Sequence, residues 1–155
     1  MPSGIRWWLV IVLALVFISL GAMREVLFVN INEQLLFNEG GVDRYRVVPH
    51  LWILKEYSNG ELLRWKWIMT VLFTMMHLLL SALMLKQALR FKASRRLLFA
   101  LYLIGFVVSG LSFLIGRWAG LPDLGYTISR VIMGGLQSPF PLMLIIPALM
   151  LKSSE

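Results

Sequence analysis

The chain has 155 residues, 59% of them hydrophobic, with a formal net charge of +7 and no cysteine. A mean hydropathy of +0.77 is that of an integral membrane protein rather than a soluble domain, and the length leaves room for one compact membrane domain, 1–155, and no separate soluble one. The missing thiols exclude disulfides, thiolate nucleophiles and cysteine metal sites.

Four apolar stretches approach the roughly 20 residues that cross a bilayer as helix: 7–23, 67–85, 97–116 and 131–151. They predict an all-α four-helix transmembrane bundle. The first span could pass for a signal peptide, with Ser19 and Gly21 as a weak cleavage context. Its long apolar region reads instead as an uncleaved anchor. Charge placement orients the bundle. Lys86, Arg90, Lys92, Arg95 and Arg96 crowd the 86–96 link, Arg6 precedes the first span and Lys152 follows the last, whereas 24–66 carries six basic and six acidic residues. This positive-inside pattern puts both termini in the cytoplasm and the 24–66 and 117–130 loops outside. The same placement argues against nucleic acid as the partner of a basic chain and makes lipid contact a secondary role of the charge.

The first outer segment opens with REVLFVNINEQLLF, too evenly mixed for a span. Val26, Leu27, Phe28, Ile31, Leu35 and Leu36 are expected to line an interfacial helix that Gly40 and Gly41 break. Trp52, Tyr57, Trp65 and Trp67 suit the membrane–water boundary, and Ser58-Asn59-Gly60 reads as a turn before the second span. The loop is expected to be partly helical and to cap the bundle.

Within the spans, polar and small residues recur at helical spacing. Thr70, Thr74, His77 and Ser81 share one face of the second span; Gly105, Ser109, Ser112 and Gly116 share one face of the third. Arg130, Gly134, Gln137 and Pro141 repeat the spacing in the fourth. Such faces serve as the bundle's own interior, dock another protein's helix, or line a path. His77 is an ionisable group at mid-span, and a neutral imidazole bonded to a neighbouring Ser or Gln accounts for it. A metal would need more ligands, and His50, the only other histidine, falls outside the membrane by this topology. No Gly-x-Ser-x-Gly is present, and the two aspartates, Asp43 and Asp123, fall in loops. Arg24, Arg117 and Arg130 mark the outer boundary, either as span ends or as a cationic rim for carboxylates or phosphates. Pro139, Pro141 and Pro147, with Gly134, Gly135, Gln137 and Ser138, should kink or unwind the last span near 137–141 and turn that region toward protein.

The order REVLFVNINEQLLF, then YRVVPHLWILKEYSNGELLRWKW entering a span, then SR-x-x-x-x-x-LQSPFPLMLIIPAL resembles the small exosortase-associated membrane proteins of bacteria. The resemblance covers most of the chain, and its sharp part is the last segment. There Arg130, Gln137, Ser138, Pro139, Ile146, Pro147 and Ala148 fit an Arg, a Gln-Ser-Pro and an Ile-Pro-Ala pattern, while Arg24, Glu25, Leu27 and Phe28 fit a stretch after the first span. Exosortases are polytopic transpeptidases with a cysteine nucleophile, so this cysteine-free chain is not one. The resemblance implies a non-enzymatic accessory subunit of the bacterial inner membrane, without cofactor, that stabilises or positions such an enzyme in a protein-sorting complex. Its interface would be Gly105, Ser109, Ser112 and Gly116 or the 129–148 segment, with Asn32, Glu33 and Gln34 as outer contacts. On this view Gly105→Leu or Gly116→Leu should weaken assembly. A stand-alone lipid or small-molecule binder with the Arg24, Arg117 and Arg130 rim, or a small intramembrane enzyme using His77 or His50, are the other readings.

Overall fold

The computed structural model describes residues 7–41, 47–88 and 92–152. Arg6, Asp43 and Arg90 lie outside the described residues, as do the side chains of His50 and Lys92. The described chain is helical, without a strand: α1 Trp7–Asn38, a 3-10 segment Pro49–Glu56, α2 Asn59–Ala88, α3 Lys92–Trp118, α4 Pro122–Leu136 and α5 Phe140–Lys152. Three helices, Trp8–Asn38, Asn59–Lys86 and Arg95–Trp118, are long and apolar enough to cross a membrane. A fourth crossing requires counting α4 and α5 together across a 60° bend.

The helix boundaries depart from the apolar stretches, for local reasons. No Gly or Pro lies between Gly21 and Gly40, so α1 does not stop at residue 23. The expected interfacial helix is its unbroken continuation, and at about 1.5 Å per residue α1 runs about 48 Å, well beyond a hydrocarbon core of about 30 Å. Gly40, at φ +72°, ends it. The Gly41 N–H bonds the Leu36 carbonyl at 2.9 Å and the Gly40 N–H the Phe37 carbonyl at 3.1 Å, the paired bonds of a Schellman terminus. The expected 58–60 turn is instead the start of α2. The Ser58 N–H donates to the Glu61 carboxylate at 2.8 Å and the Glu61 N–H to the Ser58 hydroxyl at 3.4 Å, a reciprocal cap that starts the helix eight residues before the apolar run. Much of the expected 117–130 loop is likewise helix. Gly120, at φ +74°, closes α3, with the Leu121 N–H on the Gly116 carbonyl at 2.8 Å, and Pro122 and Asp123 open α4.

The chain forms two compact units. The first comprises the described residues up to Ile18 and from Thr74 onward. Its core is Phe17, Leu85, Leu98, Tyr102, Met133, Leu136, Leu142 and Ile145, contributed by all five helices. The second is Ser19–Phe73, where the later part of α1, the 3-10 segment and the start of α2 bury Leu20, Ile31, Val47, Leu62 and Phe73. Most other large apolar side chains are exposed. That fits a protein whose surroundings are themselves apolar, since burial there brings no hydrophobic gain and helices associate through packing and polar contacts.

Candidate functional site

In the first unit the polar face of α2 meets side chains from α1, α3 and the end of α4. Thr74, His77 and Ser81 are all buried, His77 and Ser81 completely. Gln137, 3% exposed at the end of α4, donates from Nε2 to the Thr74 Oγ1 at 2.6 Å. The Phe17 ring meets the His77 ring edge-on, centroids 4.8 Å apart. Tyr102 and Ser81 share a hydrogen bond of 3.4 Å. Tyr102 was not among the expected site residues, yet it stands three residues before Gly105 on the same face of α3, and extending that spacing backward finds it. Thr70, in the second unit, bonds the Lys66 carbonyl of its own helix at 2.8 Å.

The small residues of α3 are used inside the chain. A Cβ on Gly116 would stand 2.5 Å from the Gly125 Cα, and one on Gly125 2.7 Å from the Ser112 carbonyl oxygen, so α3 and α4 touch backbone to backbone there. Farther along, the Ser109 and Ser129 hydroxyls are 2.7 Å apart, and Gly105 receives the Leu136 side chain. Ser112 bonds the Val108 carbonyl of its own turn at 2.8 Å. This face, read either as the bundle's own interior or as a partner interface, is filled by α4. Gly125 and Ser129, from the stretch expected as a loop, supply the matching face. Gly134 differs: a Cβ there would meet nothing.

The break between α4 and α5 falls within the expected 137–141 region. The Ser138 hydroxyl donates to the Gly135 carbonyl at 2.7 Å and accepts the Phe140 N–H at 3.2 Å, and the Pro139 carbonyl takes the Leu142 and Met143 N–H groups at 3.0 and 3.1 Å. The elbow thus satisfies backbone groups that proline would otherwise leave open. Gln137 and Pro141 face the interior while Pro139 is exposed.

Of the three rim arginines, Arg117 stands at a helix end as expected, while Arg24 and Arg130 lie within helices. Arg24 lies within α1, 3.7 Å from Glu25 and 5.2 Å from the Phe28 ring centroid. Arg117 is exposed at the end of α3. Arg130 is exposed but eight residues inside α4, because that helix starts at Pro122. In the second unit, the suggested outer contacts Asn32 and Gln34 are bonded internally. The Lys66 ammonium donates to Asn32 at 2.8 Å, and a chain of 2.7 Å bonds runs from Gln34 to Asn38 to Asn59. Asn30, buried, donates to the Val26 carbonyl at 2.7 Å and accepts the Val48 N–H at 2.8 Å. Asn30, Gln34 and Asn38 recur every four residues, a stripe that an unbroken helix across residue 24 would have exposed. One Glu33 carboxylate oxygen is buried without a hydrogen-bond partner among the described residues.

Among the described residues no three of His, Cys, Asp and Glu gather to hold a metal ion. No protein-family model, curated protein or solved structure matches the chain.

Proposed function

We propose that the protein is a non-enzymatic accessory subunit of a membrane-embedded protein-processing complex of the exosortase type. It would sit in a bacterial inner membrane with both termini in the cytoplasm and would stabilise or position the transpeptidase. The observation that supports this most is the elbow. Gln137, Ser138 and Pro141 belong to the segment that carries the resemblance, and all three act on shape: one bonds Thr74, one bridges the broken helix ends, one fills the interior. The other buried hydroxyls and amides seen in hydrogen bonds, those of Ser81, Ser109, Asn30 and Gln34, also bond partners within the chain, as in a scaffold. The positive-inside charge pattern supports the orientation.

Deletion of the gene in a native host tests this reading. The expected result is accumulation of unprocessed proteins bearing the C-terminal sorting signal, with processing restored by the full chain. Normal processing without it would overturn the proposal. Because the chain has no cysteine, single cysteines near Trp118 and Lys152 report orientation directly: a membrane-impermeant maleimide should label the first from outside and not the second.

A further inference from the structure

Arg130 stands where a charge is costly. The 2.7 Å contact between Ser109 and Ser129 fixes the register of α4 on α3 and puts Arg130 level with Ser109. Ser109 lies nine residues, about 14 Å, inside the α3 end at Trp118, and twelve residues, about 18 Å, from the start of the apolar run at Leu97. With α3 crossing the bilayer, a reading this inference rests on, Arg130 is near mid-depth and farther from the surface than an arginine side chain reaches by itself. Its side chain is exposed, and it makes no ion pair among the described residues. Thr127 and Val131 are exposed beside it, and Gly134, one turn on, has open space where a Cβ would be.

We infer that this face of α4 docks a transmembrane helix of a partner protein, and that Arg130 pairs with an Asp or Glu carboxylate on it. Charge selects this occupant. A guanidinium at that depth is matched by a carboxylate that accepts two of its N–H groups, and Gly134 lets the partner backbone come close. A second copy fits poorly, because two chains inserted in the same direction and related by a two-fold axis would bring Arg130 against Arg130.

The test places a photo-crosslinking amino acid at Thr127 or Val131 of the full chain in native membranes, with Leu103 on the exposed face of α3 as a control. Adducts are digested and sequenced by mass spectrometry. The expected product joins α4 to a partner transmembrane segment with an Asp or Glu within one helical turn of the crosslink. Its yield should fall about tenfold in Arg130→Gln and persist in Arg130→Lys, while the Leu103 products stay unchanged. Adducts only with phospholipid, adducts with a second copy, or a protein adduct indifferent to Arg130→Gln would each overturn the inference. The functional proposal fails separately: a carboxylate-bearing partner that is not a cysteine transpeptidase would sustain the docking face and refute the exosortase-type role.

Discussion

Gly116→Ala adds a single methyl group where α3 and α4 leave no room. The new Cβ stands 2.5 Å from the Gly125 Cα, 2.9 Å from its nitrogen and 3.0 Å from the Leu121 carbonyl oxygen. All three are backbone atoms, so no side chain can turn aside. Restoring an ordinary carbon contact of about 3.5 Å requires the helices to part by about 1 Å at the crossing. An opening of that size carried to Ser109 and Ser129, now 2.7 Å apart, would stretch their hydrogen bond beyond the useful range. Overpacking of this kind costs about 1–3 kcal/mol and a polar contact between membrane helices about 0.6 kcal/mol, for a loss of about 1.5–3.5 kcal/mol. Equilibrium unfolding in detergent, followed by circular dichroism or steric trapping, reads that loss. Two substitutions give the scale. Gly105→Ala presses on the Leu136 side chain at 2.9–3.2 Å, which can shift, so about 1 kcal/mol or less is expected. Gly134→Ala meets nothing and should be neutral or stabilise by a few tenths of a kcal/mol through helix propensity. Equal stability of Gly116→Ala and Gly134→Ala would refute the close α3–α4 crossing.

Three further outcomes follow from the bonds already described. Gln137→Leu and Thr74→Val should each destabilise by about 0.6–2 kcal/mol, and the double variant should lose less than the sum, because both remove one bond; strict additivity in a double-mutant cycle would contradict the pairing. Ser58→Ala removes half of the α2 cap and should cost about 1 kcal/mol, with faster amide hydrogen exchange confined to the first turn after Asn59; unchanged exchange there would argue against the cap. Asn30→Leu leaves the Val48 N–H without its acceptor and should cost about 1–3 kcal/mol, with the 47–57 segment the first to lose protection from exchange; protection equal to that of the unaltered chain would disprove the anchoring.

Hydropathy located the three long apolar helices, and helical spacing located the buried face of α2. Thr74, His77 and Ser81 are interior as their spacing implies, and the break near Gln137 follows from three prolines in one segment. What hydropathy does not mark is where a helix ends. Apolarity stops at Met23 and begins again at Trp67, but backbone hydrogen bonding continues through residues 24–38 and starts at Asn59, because the signals that act there are Gly40 and the Ser58–Glu61 pair. The same error hid Gly125 and Ser129: placed in a loop, they had no face to share, and the small residues of α3 looked available to a partner. Arg130, expected at the end of a span, lies eight residues inside α4 for the same reason. One phenol in an apolar run scarcely changes its hydropathy, so Tyr102 is legible only from its position on the α3 face.

The accessory role is tested most directly by purifying the tagged full-length chain from native membranes in mild detergent and identifying the bound proteins and lipids by mass spectrometry. Stoichiometric recovery of a polytopic cysteine transpeptidase is the predicted result. Recovery of the chain alone, with a defined lipid in its place, would contradict the accessory role and point to a lipid-binding protein.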